Sequence, residues 1–125
     1  MGTIVTTKAK KKMLQARAGI ISSLPTIAGM AFGTGGYSGG SIVDHSASDN
    51  ALFTESYRQV VDGYTVISDT KIRYSCTLAA GTMSGVNISE VGLYDSAGDF
   101  VAFKSFLPKG KDADIEVVFE CDDTF

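Results

Sequence analysis

The sequence has little of what marks metalloproteins, membrane proteins and many enzymes. Its 125 residues include no tryptophan, two prolines, two cysteines and one histidine. No segment approaches the roughly 18 consecutive apolar residues that a membrane-spanning helix needs, so we expect no membrane insertion. Neither cysteine has a histidine or a second cysteine at metal-ligand spacing, so we expect no metal and no cofactor.

Charge is moderate in amount but uneven along the chain. Hydrophobic residues make up 44% and charged residues 20%, which is typical of a folded domain. The net charge of −3 conceals a basic start, with Lys8, Lys10, Lys11, Lys12 and Arg17, and an acidic end, with Asp112, Asp114, Glu116, Glu120, Asp122 and Asp123. No aromatic residue lies among the lysines to stack on a base, so we expect no nucleic-acid binding. Such polarity suits head-to-tail or subunit contacts without requiring them.

A glycine-rich segment, FGTGGYSGG, covers residues 32–40. Gly35 and Gly40 have the separation of a Walker loop, but Ser41 stands where that loop needs lysine. The dinucleotide fingerprint also fails, because Ser38 takes the place of its third glycine. Glycine clusters more often serve as turns, so we interpret this segment as a flexible connection or a contact surface.

The N-terminal half predicts one helix and one strand. Good helix formers extend from Lys8 to Ala18, and Gly19 is suited to end the helix. The run TIAGMAF (26–32) predicts a strand. Residues 48–61 fit either a helix capped by Ser48-Asp49-Asn50 or a strand, and Asp62-Gly63 is a turn signal.

The C-terminal half alternates with a period of two, which is typical of half-buried antiparallel strands. We predict strands over residues 70–80, 88–94, 100–107 and 113–121, with turns at 95–99 and 108–112. The fold class is therefore α+β, mainly β: an antiparallel β meander or sandwich-like domain with a short N-terminal helix. We expect one domain over 1–125, made of a basic helical arm (1–20) and a β-rich body (25–125) with a Gly-rich loop (33–47).

Few residues have the chemistry of a catalytic site. Asp44, His45 and Ser46 include the types of a hydrolytic triad, but adjacent residues cannot orient toward one another as that mechanism requires, so we interpret His45 as an exposed loop residue. Glu90 shares a strand phase with Ile88 and Tyr94, and we expect it to pair with a basic residue or with backbone amides. Cys76 and Cys121 fall on apolar strand phases and are expected to be buried thiols, although a disulfide between them stays open. We predict no catalytic residue and no enzymatic activity.

Two segments carry a resemblance to a known family: ISEVGLYDSAGDFVAFKSF, and KMLQARAG followed by TIAGMAFGTGG. The first is similar to a hairpin signature in the N-terminal domain of phage tail-collar fibre proteins, and the second is similar to the segment that precedes that hairpin. The correspondence runs in order through Ala28–Gly36 and Ile88–Ala102. It implies a virion tail or baseplate component that is made in a bacterial cytoplasm and holds a fibre or connects it to neighbouring subunits, in a phage or a related particle.

The chain differs from long fibre proteins in having no repetitive shaft, which favours an adaptor bound to other tail, baseplate or fibre proteins and associated as a homo-oligomer, a trimer among the options. The alternative is a carbohydrate- or receptor-binding β domain that uses Tyr37 and Tyr57. The expected partner contacts lie in the basic helix and the glycine-rich loop: Lys8, Lys11, Lys12, Arg17, Gly35, Gly36, Tyr37, Gly39 and Gly40.

Overall fold

A computed structural model describes residues 3–125, in which one short helix accompanies ten β-strands of two to eleven residues. The elements in chain order are β1 (Ile4–Val5), α1 (Thr7–Arg17), β2 (Ile27–Gly33), β3 (Tyr37–Ser38), β4 (Ser41–Ile42), β5 (Glu55–Val60), β6 (Gly63–Ser68), β7 (Lys71–Leu78), β8 (Asn87–Asp95), β9 (Phe100–Gly110) and β10 (Val117–Thr124). The predicted mainly-β class with an N-terminal helix is confirmed.

All strand pairs are antiparallel and fall into three sheets. The largest has the order β1-β9-β8-β2-β5, the second has the order β10-β7-β6, and β3 pairs with β4 as a short hairpin. The C-terminal strands do not follow one another as a continuous meander, because β7 pairs with β10 while β8 and β9 lie in the larger sheet. The meander is thus not confirmed.

The hydrophobic core draws on both of the larger sheets. Its buried members are Met30, Phe32, Cys76, Leu78, Ile88, Val91, Leu93, Ala102, Phe119 and Cys121. A second cluster, Ala31, Leu52, Phe100 and Phe103, contains residues that alternate with the first along β2 and β9. Strands β2 and β8 are consequently buried on both faces, which explains why β2 lacks the polar alternation of a surface strand.

Helix α1 is fixed at both ends by local signals. The Thr6 hydroxyl accepts a hydrogen bond from the Ala9 amide at 3.1 Å and donates one to the Phe100 carbonyl at 2.8 Å. Ala18 caps the C-terminal end, and Gly19 follows with φ +77°. Sequence reasoning placed the helix within one residue at either end because these caps are local.

Three predicted boundaries differ from the structure. Residues 51–54 form no helix, and β5 confirms the strand alternative for this segment. Asp62-Gly63 does not close a hairpin, because β5 and β6 belong to different sheets. The turn predicted at 108–112 is wrong for its first half: β9 continues to Gly110, which pairs with Asn87, and β10 begins only at Val117.

Candidate functional site

Glu90 lies on β8 with none of its surface exposed to solvent. Sequence analysis placed Ile88, Glu90 and Tyr94 on one face of the strand. The β8–β9 register shifts between Ile88 and Glu90, so this prediction is only partly right. Ile88 packs into the larger core cluster, whereas Tyr94 borders the cluster that contains Phe103. The irregularity turns the carboxylate toward the segments that cover the second face of the sheet.

The Glu90 carboxylate accepts hydrogen bonds on both oxygens. Oε2 accepts from the amides of Gly35 and Thr54, each at 2.9 Å, and Oε1 accepts from the amide of Phe53 at 2.9 Å. Oε1 also lies 2.8 Å from Nε2 of His45. Burial by itself raises the pKa of this carboxyl, but the bonds from His45 and the three amides outweigh burial and hold the pKa below its usual value. The predicted pairing with amides is confirmed.

His45 is buried, so the interpretation of it as an exposed loop residue is wrong. Its ring stacks between Phe53, with centroids 3.9 Å apart, and Phe103, with centroids 4.2 Å apart. Nδ1 lies 2.9 Å from Oδ2 of Asp49, and Nε2 faces Glu90. An ionised carboxylate can only accept, so a ring nitrogen that bonds to an ionised carboxylate acts as the donor.

The network of Glu90, His45 and Asp49 joins β8 to three segments that lie between β2 and β5. These are the loop after β2, the turn at residues 45–49 and the residues just before β5. With both carboxylates ionised, neither ring nitrogen has a free lone pair with which to take a proton from a substrate. The geometry therefore favours a structural function for this cluster.

The glycine-rich segment is divided into a buried half and an exposed half. Gly35 donates to Glu90, and the buried Gly36 donates to the Ser89 hydroxyl at 3.0 Å. A β-carbon at Gly36 would overlap the Ser89 carbonyl oxygen. The interpretation of these two glycines as part of a flexible connection is wrong, because the Glu90 carboxylate and the Ser89 hydroxyl of β8 hold their amides.

The other half of the segment agrees better with a surface role. Gly39 and Gly40 form the exposed turn of the β3–β4 hairpin, with φ of +60° and +85°. Tyr37 begins that hairpin and is half-buried. The tip of the β3–β4 hairpin is therefore open to a partner.

The basic residues of α1 likewise separate into two groups. Nζ of Lys12 lies 2.6 Å from Asp95 and 2.7 Å from Asp99, and Lys8 lies 2.9 Å from Asp99. The bonds from Lys12 and then Lys8 hold the pKa of Asp99 below its usual value. These pairs fix the helix to the β8–β9 turn, whereas Lys11 and Arg17 stay exposed.

Strand β6 forms one edge of the three-stranded sheet and carries no charged residue. Its sequence is GYTVIS, and Tyr64, Val66 and Ile67 are among the large hydrophobic side chains that remain exposed. Proteins usually protect such an edge with charge, proline or a covering segment, because its backbone groups can pair with another chain. Sequence reasoning did not single out this strand.

Further findings concern metals, membranes and known proteins. Across residues 3–125 the structure contains no group of three or more His, Cys, Asp or Glu side chains arranged to hold a metal ion. Within the same range no helix has the length and apolarity to cross a bilayer. No family model, curated protein or solved structure matches this chain.

Proposed function

We propose that this protein is a structural subunit of a phage tail or a phage-like contractile tail, acting as an attachment or adaptor subunit for a fibre or baseplate. Its place is the tail of the particle, after synthesis in the bacterial cytoplasm. The proposal includes a single sandwich-like domain without enzymatic activity. Its partners are other tail, baseplate or fibre proteins and further copies of the chain.

The observation that carries the proposal is the uncharged, apolar edge of β6. Tyr64 is 67% exposed and Val66 is 63% exposed, in a strand with one free side. A partner strand that pairs with β6 would satisfy the free backbone groups and cover these side chains. An edge of this kind is a template for pairing with another chain, which supports an assembly role.

The segment that carries the family resemblance also supports the proposal. Ile88–Ala102 forms the β8–β9 hairpin, and a hairpin is where the resembling segment of the tail-collar domains lies. Glu90 and Gly92 of the signature are both buried. Because both residues are buried, packing in the interior explains why the signature contains them. A fold shared with the tail-collar domains would have the same packing.

The proposal is tested by mixing the purified chain with each protein encoded beside it and measuring mass by light scattering. We expect a complex of defined stoichiometry with one of them. Val66→Lys combined with Ile67→Lys should abolish that complex while leaving the circular dichroism spectrum unchanged, since both side chains are exposed. The matched control is Ser22→Lys in an exposed loop, which should bind as the wild type does. Failure of the wild-type chain to bind any of these proteins would contradict the proposal.

The alternative function is recognition of a carbohydrate or receptor, which would use exposed aromatic rings. Tyr57 on β5 is 37% exposed, and Tyr37 is half-buried at the β3–β4 hairpin. Saturable binding on a glycan array, lost on replacing Tyr57 with alanine, would favour this alternative over the adaptor. The adaptor proposal expects no such binding.

A further inference from the structure

Helix α1 presents a cationic surface to solvent. Lys10, Met13, Leu14 and Arg17 follow the i, i+3, i+4, i+7 spacing that places residues on one side of a helix. Lys10 and Arg17 are exposed, Leu14 is 61% exposed, and neither charge forms an ion pair within residues 3–125. We name Lys10, Leu14 and Arg17 the cationic stripe.

A cavity of about 270 Å³ adjoins this stripe on the side of Met13. Its apolar lining includes Met13, Leu24, Ile27, Tyr74 and Val101. Two carboxylates also line it: Asp95, which is paired with Lys12, and Asp123, whose pKa burial raises. The cavity therefore suits an apolar side chain. The residues beside that side chain should be negatively charged, so that they complement the positive charge of the stripe.

Residues 112–116 form an acidic loop that a buried lysine supports. Lys111 is 1% exposed, and its ammonium donates to the carbonyls of Asp112 at 3.1 Å and Ile115 at 2.5 Å. The carboxylate-bearing residues Asp112, Asp114 and Glu116 are exposed, and none of them is ion-paired in the part of the chain that is described. Ile115, at the centre of the loop, is 43% exposed.

The two surfaces lie at opposite ends of the molecule. Lys12 of α1 bonds to Asp95, the last residue of β8, whereas the Lys111 amide bonds to the Val86 carbonyl just before β8 begins. A strand advances about 3.3 Å per residue, so the eight steps of β8 place roughly 26 Å between these points. The acidic loop of one chain therefore cannot reach the cationic stripe of the same chain, but it can reach that of a second copy.

We propose that copies of this chain associate head to tail, with the acidic loop of one copy docked on the cationic stripe of the next and Ile115 inserted into the cavity beside Met13. Opposite charge steers the two surfaces together, and the apolar side chain supplies burial at the centre. A head-to-tail interface closes into a ring or extends as a filament, according to the rotation between copies. The inference rests on the proposed assembly role, and it names one mode of self-association.

The test uses two charge reversals and measures mass by light scattering at about 150 mM salt. The stripe variant carries Lys10→Glu with Arg17→Glu, and the loop variant carries Asp114→Lys with Glu116→Lys. The wild type should form oligomers of the 13.2 kDa chain, and each variant alone should be monomeric because like charges then face each other. A control with Asp44→Lys and Asp69→Lys reverses two exposed carboxylates outside both surfaces and should oligomerise as the wild type does.

Mixing the two variants gives the decisive result. The reversed stripe of one variant then meets the reversed loop of the other, and the native stripe meets the native loop, so an equimolar mixture should associate again, as an alternating filament or as a ring with an even number of copies. Ile115→Ser should weaken the wild-type oligomer without affecting the circular dichroism spectrum. Raising the salt to 1 M, where the Debye length falls to about 3 Å, should also weaken it.

Two outcomes would overturn the inference. One is a wild-type chain that stays monomeric at high concentration, and the other is an oligomer whose mass is unchanged by both reversals. The same samples should also be tested for binding to proteins encoded beside this chain. That measurement tests the adaptor role separately from the head-to-tail contact. A monomer that still binds such a protein would leave the adaptor role standing and remove only the head-to-tail contact.

Discussion

Nε2 of His45 lies 2.8 Å from Oε1 of Glu90, although 45 positions separate the two residues in sequence. Both side chains are buried, and the imidazole ring is held between two phenylalanine rings. A buried ion pair of this kind contributes little when compared with a well-packed apolar pair, but removal of one partner leaves the other charged and desolvated. The first prediction follows from that asymmetry.

Replacing Glu90 with glutamine should strongly destabilise the fold. The amide keeps the shape but removes the charge that His45 and three backbone amides solvate, so we expect a loss of about 3–5 kcal/mol in the free energy of unfolding. Urea denaturation followed by circular dichroism measures it. Glu120→Gln, on the exposed side of β10, is the control and should change stability by less than about 0.5 kcal/mol. Equal effects of the two substitutions would contradict the structural role of Glu90.

The same carboxylate should make stability dependent on acidity. The pKa of Glu90 is lower in the folded state than in the unfolded state, so its contribution is complete above the unfolded value of about 4.3 and is lost as pH falls through the folded value. The difference in stability between wild type and Glu90→Gln should therefore narrow as the pH decreases from 7 to 3. A difference that is constant over that range would show that the charge of Glu90 is not what stabilises the fold.

A glycine packed against backbone should be more sensitive to substitution than one with open space around it. Gly36→Ala places a methyl group against the Ser89 carbonyl and should cost about 1–3 kcal/mol through overpacking. Gly63 has open space around its Cα and no positive φ, so Gly63→Ala is a matched control that should be nearly neutral. Thermal unfolding of the two variants compares them. If Gly36→Ala left the thermal stability unchanged, the interpretation of this segment as flexible would be favoured again.

Lys12 should anchor helix α1 to the β8–β9 turn. Burial lowers its pKa, but hydrogen bonds to Asp95 and Asp99 outweigh burial and raise it. Lys12→Met leaves the buried Asp95 without its cation and should cost about 2 kcal/mol, and Lys11→Met, one residue earlier on the exposed side, should cost far less. Proteolysis within residues 7–24 should accelerate only in the Lys12 variant. Similar digestion of both variants would contradict the anchoring role.

The two cysteines should resist thiol reagents in the folded protein. Burial raises the pKa of Cys76 to about 11 and that of Cys121 to about 12, and both are free thiols on neighbouring strands. At pH 8 a disulfide reagent such as Ellman's should react slowly with the native chain and rapidly with both thiols in 6 M guanidinium chloride. Native reactivity equal to that of the unfolded chain would show that these strands open readily.

Sequence reasoning found what local patterns determine and missed what distant segments determine. The helix, its glycine stop, the 95–99 turn and the apolar face of β7 all follow from periodicity and turn chemistry within about ten residues. Pairing between strands is not encoded locally, so the separation of β7 and β10 from β8 and β9 could not be obtained from the chain alone.

The buried network shows the same limit at a single site. The position of Glu90 in an apolar run was a usable signal, and its amide partners were anticipated. The burial of His45 was not, because its partners are Phe53, Phe103 and Glu90, which come from three different parts of the chain. Asp49, four residues after His45, was the only local sign of that network. Lys111 was likewise unremarkable in sequence, although its ammonium organises the acidic loop.

The proposal that this chain is a tail subunit is tested most directly by quantitative mass spectrometry of purified particles from the producing bacterium. Peptides of this chain should copurify with sheath and baseplate proteins at a fixed number of copies per particle, and that ratio should persist through a second density gradient. Particles that lack the chain, while the same lysate contains it in abundance, would contradict the proposed function.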